Sequence, residues 1–158
     1  MGIIIETPII KDKYNLQIGD EVIIHHNVFR RYYDMRGNEK NSRKYFKEDK
    51  YFCFSDQIFL YKRGGKWYTP PGFCFVKPIK STNNLTEDKE EPLTGVLKHL
   101  GSNLRDFGLG NDDIIGFTPN SEYEFVIDNE RLYRLPLNSI SIKYERKGTE
   151  VEYNTSWV

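Results

Sequence analysis

The sequence predicts an all-β fold, and three observations carry this prediction. Aromatic residues make up 15% of the 158 residues, and side chains of this kind favour strands. Short apolar runs of strand length recur along the chain, separated by Gly, Asp and Asn residues that favour turns. A helical period is not sustained over about ten residues with caps at both ends. The chain is therefore expected to fold as short strands joined by tight turns.

The first group of predicted strands lies before residue 62. Residues 3–10 are apolar but contain Pro8, which suits an edge strand or an arm. The turn residues at 19–20 precede a β-branched strand, and residues 51–54 and 57–61 are two further strands. Residues 29–50 hold eight Lys or Arg against four Asp or Glu, and we expect them to form a long basic hairpin or excursion with a mobile tip.

The second group of predicted strands begins at residue 72. Residues 73–79 form a strand that Pro78 places at an edge or an end of its sheet. Residues 81–92 are polar and acidic, with Leu85 as their apolar residue, so they predict a solvated, flexible loop. The remaining predicted strands are residues 93–97, 113–117, 123–127, 131–135 and 140–142.

An internal repeat links the two groups of strands. Residues 19–23 parallel residues 111–115, and residues 56–60 parallel residues 138–142. The repeat predicts that the strand at 22–24 and the strand at 114–115 occupy equivalent positions, each after a Gly or Asp turn.

The segment from 72 to 144 resembles the GroES-type co-chaperonins, small β-barrels that cap chaperonin cages. The resemblance rests on the order of a few short motifs. These are the strand at 73–79, the loop after it, Gly-Val-Leu at 95–97, Asn-Asp-Asp-Ile-Ile-Gly-Phe at 111–117, Ile-Asp-Asn-Glu at 127–130 and the last strand at 139–142. Residues 18–23 match the Gly-Asp motif a second time, and the whole chain resembles a divergent, phage-encoded relative.

The resemblance implies a domain organisation. We expect a GroES-like small β-barrel at 72–146, with an additional partial repeat of the same unit on its N-terminal side. The expected divisions are the partial unit 1–62 with its basic excursion 29–50, a linker 63–71, the barrel 72–146 and a C-terminal tail 147–158. The roof hairpin of the family is reduced here to residues 101–110.

The resemblance also implies a partner-binding loop. Family members bind the chaperonin ring through an apolar Ile-Val-Leu-type tripeptide, whereas residues 81–92 offer Leu85 alone. Burial of one Leu gives roughly 1.5–3 kcal/mol, which the repeated subunits of a ring would multiply by avidity. The predicted contact residues of this mobile loop are Asn84, Leu85 and Thr86.

The candidate chemical groups have plain structural interpretations. His25 and His26 are expected on one strand with their side chains on opposite faces, and His99 is distant in sequence, so no metal site is predicted. Cys53 and Cys74 each lie between aromatic residues, which predicts strand or core thiols that are unreactive. Catalytic and cofactor-binding motifs are also missing, so the chain is not expected to be an enzyme or to hold a cofactor.

Two pairs of acidic residues are candidates for acid–base chemistry. Asp112 and Asp113 are adjacent, so on a strand they would face opposite ways, and a turn explains them. Glu122 and Glu124 share a face and have no obvious cation near them in the sequence, which predicts a solvent-facing strand. Neither pair predicts catalysis.

Charge and hydropathy limit the partners. Lys and Arg total 23, as do Asp and Glu, which argues against a general electrostatic attraction to nucleic acid or to an anionic membrane. Apolar runs fall short of the roughly 18 residues that span a bilayer, and Glu6 follows the N-terminal apolar residues without a basic leader. Two cysteines without metal spacing are typical of a reduced, intracellular setting.

Cations and aromatics alternate locally at 29–33 and at 43–47, a combination typical of single-stranded nucleic-acid binding. The same cluster is a candidate for a second partner contact or for a surface against a neighbouring subunit. Its residues are Phe29, Arg30, Arg31, Tyr32 and Tyr33.

The function expected from the sequence is that of a co-chaperonin-like lid, which assists chaperonin-mediated folding without catalysis. Its expected partners are a host chaperonin ring and further copies of this chain, and its expected location is the host cytoplasm. The alternative is a phage structural protein that uses the same barrel in capsid or tail assembly and is located in the virion. A single-stranded nucleic-acid-binding barrel is the third hypothesis.

Overall fold

The computed structural model of the chain describes residues 1–11, 13–82, 89–101 and 104–153. Strands account for 45% and helical turns for 9%, which confirms the all-β class. Within these residues all of the strand pairings are antiparallel. The helical residues form short 3₁₀ turns of three or four residues. The chain divides into two compact units, Met1–Pro70 and Pro71–Val158.

The first unit contains a four-stranded sheet and two small hairpins. Its strands are β1 (Gly2–Ile3), β2 (Glu21–Ile24), β3 (Tyr32–Tyr33), β4 (Glu39–Lys40), β5 (Tyr45–Lys47), β6 (Lys50–Tyr51), β7 (Ile58–Arg63) and β8 (Lys66–Tyr68). The sheet has the order β1-β2-β7-β8, and the hairpins are β3–β4 and β5–β6. The basic excursion is therefore two short hairpins, not one long hairpin.

The second unit contains one six-stranded sheet. Its strands are β9 (Phe73–Lys80), β10 (Glu90–Leu100), β11 (Ile114–Phe117), β12 (Tyr123–Ile127), β13 (Glu130–Pro136) and β14 (Ile140–Tyr144). The order is β12-β13-β9-β10-β11-β14. Within the described residues the edge strands β12 and β14 do not pair, so the hydrogen-bonded ladder is open.

Successive residues of a strand alternate between the two faces of the sheet. Consecutive residues of β9 are buried, so both faces carry buried side chains. Among the described residues, the buried side chains of this sheet form two hydrophobic clusters. The larger one includes Leu104 and Leu109, which lie in turns outside the strands. Its strand residues are Cys74, Val76, Leu97, Ile115, Phe117, Tyr133 and Leu135. A smaller cluster joins Ile79, Val96 and Ile114.

Pro78 lies in a central strand, so the prediction that it marks an edge or an end is wrong. β9 pairs with β13 on one side and β10 on the other. The carbonyl of Pro78 accepts a hydrogen bond from the Tyr153 amide at 2.8 Å, on the side of β9 that lies beyond its last pairing with β13. A strand residue directs its N–H and C=O to the same neighbour. The missing N–H of Pro78 therefore removes no bond to β10.

Two segments expected to lie outside the sheets contribute to them. Residues 63–71, expected as a linker, include β8, which pairs with β7. The expected tail 147–158 includes Glu152, which lies opposite Ile79, and the Lys80 amide donates to the carbonyl of Val151 at 2.7 Å. Short-range sequence patterns give no information on these distant strand partners.

The two units share one three-stranded arrangement, formed by β1-β2-β7 in the first and by β10-β11-β14 in the second. The same backbone hydrogen bonds recur in both, with lengths of 2.7–2.9 Å. The matched pairs are Ile4 N to Asp20 O and Leu97 N to Asp113 O, Gly19 N to Ile4 O and Asp112 N to Leu97 O, and His25 N to Gln57 O and Thr118 N to Ser139 O.

The register of the repeat differs by one residue from part of the sequence alignment. The ladders place Ile58 and Ile140 in equivalent positions, as the sequence predicts. They also make Val22 equivalent to Ile115, whereas the sequence parallel pairs it with Ile114. The turn explains the offset, because Gly19 and Asp112 are the residues with positive φ, at 91° and 68°.

Gly95 provides a test of the close packing between β10 and β9. A Cβ at this position would lie 3.0 Å from the Cβ of Val76 and 3.1 Å from the carbonyl of Lys77. We expect Gly95→Ala to lower the free energy of unfolding by about 1–3 kcal/mol, because backbone and core must shift. Urea unfolding measures this change.

Gly2 is the matched control because it is the equivalent glycine of the first unit. Its added Cβ would meet the end of the Ile24 side chain at 3.1 Å, and a flexible side chain can move. Gly2→Ala is expected to change stability by less than about 0.5 kcal/mol. Equal losses in the two variants would contradict the assigned close approach.

An ion pair between a buried carboxylate and a partly exposed guanidinium joins a turn of the first unit to β7. The Asp20 side chain is 3% exposed and receives Arg63 Nε at 2.8 Å and Nη2 at 2.6 Å. The Gln17 amide donates to the same carboxylate at 2.9 Å. Arg63, followed by the Gln17 amide, holds the pKa of Asp20 below its usual value despite burial. The charged carboxylate is therefore the form that stabilises this unit.

Removal of Arg63 tests the contribution of this pair and its pH dependence. We expect Arg63→Gln to cost about 3–5 kcal/mol at neutral pH, because Asp20 stays buried without its cation. In the unchanged chain the contribution is present above the unfolded pKa of about 4 and is lost as pH falls through the lower folded pKa. The variant should lose less stability on acidification, as measured by urea unfolding across this pH window.

Arg31→Gln is the control, since the Arg31–Glu39 pair spans 3.5 Å with both side chains exposed. It is expected to cost at most about 1 kcal/mol. A pH profile in Arg63→Gln that matches the unchanged chain would refute the assignment.

Candidate partner-binding site

The predicted loop residues Asn84, Leu85 and Thr86 lie outside the described residues, whereas both flanks of the loop are described. The Ser81 amide donates to the carbonyl of Lys89 at 2.8 Å, and Glu90 lies opposite Lys80 in the ladder between β9 and β10. The chain therefore leaves and re-enters the sheet at adjacent positions. These flanks form the base of the loop.

A cluster of ionic side chains holds the β10 side of this base. Tyr133 donates its hydroxyl to Glu90 Oε1 at 2.6 Å, and Arg131 Nη1 lies 3.1 Å from Glu90 Oε2. Arg131 also donates to the Tyr133 hydroxyl, and its Nε lies 3.1 Å from Glu124 Oε1. We call Glu90, Glu124, Arg131 and Tyr133 the loop-base cluster. It connects the start of β10 to β12 and β13.

Burial and ionic partners together keep Arg131 charged and Tyr133 protonated. The Arg131 side chain is 11% exposed. Burial disfavours its charge, but Glu90, Tyr133 and Glu124 outweigh that effect and raise the Arg131 pKa. Burial, and then the hydrogen bond to Glu90 and its charge, raise the pKa of Tyr133. The phenol therefore remains a hydrogen-bond donor to the carboxylate through the physiological pH range.

The prediction that Glu124 has no nearby cation is wrong. Arg131 lies opposite Val126 in the β12–β13 hairpin, so Glu124 is its diagonal neighbour on the same face. Such diagonal pairs are within reach of long side chains. Glu122 lies before β12 and is exposed.

A shallow depression of about 370 Å³ lies beside the loop-base cluster. Its lining combines cationic and carboxylate groups with the apolar surfaces of a proline and a tyrosine. The lining residues are Lys89, Glu90, Pro92, Arg131 and Tyr153. The arrangement can receive a peptide segment with mixed polar and apolar side chains, but the lining shows no nucleophile–base pair.

A second ionic group, not predicted from the sequence, fixes the C-terminal segment beside this depression. Lys77 is buried in β9, and its Nζ lies 3.1 Å from Glu130 and 3.3 Å from Glu152. Lys98 also pairs with Glu152, and its Nζ lies 3.6 Å from Asp112. A lysine within the apolar run 73–79 was the one sequence signal for this group.

The candidate secondary contact residues lie in the first unit. Phe29 follows the 3₁₀ turn His26–Val28 and packs edge-to-face on Tyr51, with ring centroids 4.8 Å apart. Arg31 pairs with Glu39 across the β3–β4 hairpin. All five residues have exposed side chains, and Phe29 is 36% exposed; they are Phe29, Arg30, Arg31, Tyr32 and Tyr33.

The expected geometry of the two adjacent histidines is wrong. β2 ends at Ile24, and His25 caps the following 3₁₀ turn. Without strand geometry, the rings of His25 and His26 stack with centroids 4.5 Å apart. Among the described residues, no group of three or more His, Cys, Asp or Glu side chains could hold a metal ion.

Both cysteines are free thiols in environments that suppress ionisation. Burial raises the pKa of Cys74 to about 12. Burial, with the charge of Asp56, raises the pKa of Cys53 to about 11. Thiolates are the reactive form, so neither position favours nucleophilic chemistry.

Comparisons of the chain with protein-family models, curated proteins and solved structures find no match. Within the described ranges, none of the helices has the length and hydropathy that crossing a membrane requires.

Tyr133→Phe tests the role of the loop-base cluster. The change removes the hydroxyl that donates to Glu90 and accepts from Arg131, and we expect a loss of about 1–3 kcal/mol in unfolding free energy. We also expect faster trypsin cleavage at Lys80 or Lys89, because the base of the loop opens more often. Urea unfolding and limited proteolysis followed by mass spectrometry measure the two effects.

Tyr123→Phe is the matched control, since Tyr123 lies on the neighbouring strand β12 and is 58% exposed. It should leave stability and cleavage rates unchanged. Equal cleavage rates in the Tyr133 and Tyr123 variants would show that the cluster does not hold the loop base.

Proposed function

We propose that this protein is a co-chaperonin-like lid that binds a chaperonin ring through residues 81–92. The observation that supports this function best is the loop base. A polar segment leaves and re-enters one sheet at adjacent positions, and a buried arginine, a tyrosine and two carboxylates hold its β10 side. A loop anchored in this way can order on binding while the sheet beneath it stays rigid.

In this function residues 72–146 form a GroES-like small barrel. Strands β9, β10, β11 and β13 contribute buried side chains to one main cluster, and Ile140 of β14 packs against it together with the turns at Leu104 and Leu109. The support for this assignment is the order of short motifs along the sequence, from which the family resemblance was drawn. Closure of the barrel beyond the pairings described above is part of this proposal.

We also propose that copies of the chain assemble into a ring through open strand edges. In the part of the chain that the structure describes, β1 has a free outer edge, whereas β9 covers the same edge of β10. Ile3 is consequently 66% exposed and its counterpart Val96 is 1% exposed. At the other end of the shared arrangement, β8 pairs with the outer edge of β7. The outer edge of the equivalent strand β14 has no partner among the described residues. Head-to-tail pairing of two such edges generates a ring if the rotation closes.

Native mass spectrometry of the protein, alone and then with a host chaperonin and nucleotide, tests this function. A discrete oligomer that adds to the chaperonin ring is the expected result. A monomer that fails to bind chaperonin with nucleotide would contradict it. Copurification with phage particles would instead identify the structural alternative, with location in the virion rather than the host cytoplasm.

Leu85→Asp tests the contact residue. It places a charge in the expected apolar groove and removes the one apolar side chain of the loop, so we expect chaperonin binding to be lost. Even about 2 kcal/mol per loop recurs at each subunit of a ring. Thr82→Asp adds the same charge at an exposed position of the loop and should retain most of the binding.

Pull-down and native mass spectrometry compare the two variants, and urea unfolding should give equal stabilities. If Leu85→Asp binds as well as the unchanged chain, contact is made elsewhere. The residues next in order would be Phe29, Tyr32 and Tyr33.

A further inference from the structure

The β5–β6 hairpin of the first unit presents an unusual outer face. The Phe52 amide donates to the carbonyl of Lys44 at 2.7 Å, which places these two residues opposite each other. Strand alternation then puts Phe46 and Phe54 on their side. The rings of Phe46 and Phe52 meet edge-to-face with centroids 5.3 Å apart. We call Lys44, Phe46, Phe52 and Phe54 the aromatic face.

This hairpin packs its tyrosines together and exposes its phenylalanines, which is the reverse of what the polarity of these side chains favours. Tyr45 and Tyr51 pack together on the opposite face, where Phe29 contacts Tyr51. The phenylalanine side chains, which have no polar group, are exposed to solvent. Their exposures are 55% for Phe46, 62% for Phe52 and 63% for Phe54. A contiguous exposed apolar patch bordered by charges marks an interaction surface.

The charge around the aromatic face identifies the kind of partner. Residues 29–50 carry eight Lys or Arg and four Asp or Glu, a local charge of +4 in a chain whose net charge is zero. Within these residues, Arg31 is the one cation for which the structure gives a carboxylate within 4.0 Å. The Asp34 carboxylate accepts hydrogen bonds from the backbone amides of Arg36 and Asn38, both at 2.9 Å, within its own turn. The excess positive charge therefore favours an anionic partner.

The cations lie directly at the rings. Lys44 Nζ is 3.6 Å from the centroid of the Phe54 ring, and Lys47 Nζ is 5.4 Å from that of Phe46. A flat apolar group that stacks on one of these rings would therefore have an ammonium group beside it. Bases joined by phosphates have this combination of flat surface and negative charge, and single-stranded nucleic-acid sites use it.

We propose that the aromatic face binds single-stranded nucleic acid, with bases stacked on Phe46, Phe52 and Phe54 and phosphates near Lys44 and Lys47. Single strands fit better than duplexes because stacking on a side chain needs an unstacked base. An acidic peptide would satisfy the charge but would leave the three rings without flat partners. This interaction is independent of the lid function, which uses residues 81–92 of the second unit.

Fluorescence anisotropy with the full chain and a labelled, mixed-sequence single-stranded oligonucleotide tests the proposal. The expected result is binding that weakens as salt rises and exceeds binding to the matching duplex. Phe52→Ala should weaken binding roughly 5- to 150-fold, the range that loss of one stacked base produces. Lys44→Gln should reduce the salt dependence.

Phe107→Ala is the matched control, because Phe107 is 77% exposed but lies in the second unit. It should bind as the unchanged chain does. Phe52→Leu keeps an apolar side chain and removes the ring, so it gives the same readout if Phe52→Ala does not fold. Equal binding of single strand and duplex, full binding by Phe52→Leu, or preferential binding of a polyglutamate peptide would overturn the proposal.

Discussion

One constraint, a carboxylate turn, recurs in both units and determines how their strands pair. Asp20 precedes β2 and Asp113 precedes β11, and each carboxylate accepts the amide of the residue three positions earlier. Each also pairs with a cation on the neighbouring strand, Arg63 on β7 or Lys143 on β14. The turn therefore fixes where the next strand begins. Since a shift of one residue would exchange the buried and exposed faces of that strand, the core of each unit depends on this turn.

The sequence was sufficient for the fold class and for the strands β9 to β14, since these follow from local alternation and turn residues, but not for β8, which lies in the expected linker. It placed Pro78 at an edge because a proline in a central strand normally removes a ladder bond. Pro78 removes no bond to β10 because its carbonyl faces Tyr153, which is distant in sequence. The one-residue offset of the repeat has a similar origin. Asp112 takes the positive-φ role of Gly19, and residue type alone favoured aligning it with Asp20.

The sequence indicates between which strands the chain leaves the sheet, but not how the base of that loop is held. Polarity between two strands located the loop, whereas its base depends on Arg131 and Glu90, which are 41 residues apart in the chain. Glu124 and Arg131 belong to one hairpin, yet their pairing is diagonal and requires the register of β12 against β13. A buried arginine with two carboxylates is therefore a tertiary feature, although each of its members is an ordinary residue in its own strand.

The repeat explains why the two units present such different surfaces. In both, a long insertion lies between the equivalent strand pairs β2–β7 and β11–β14. In the second unit the insertion is the β12–β13 hairpin, which joins β9 and brings Arg131 to the loop base. Within the described residues the first unit has no counterpart of β9, so its insertion has no strand to extend. It folds instead as two small hairpins, and one of them leaves Phe46 and Phe52 exposed. The same insertion point therefore supports an anchored loop in one unit and an exposed aromatic face in the other.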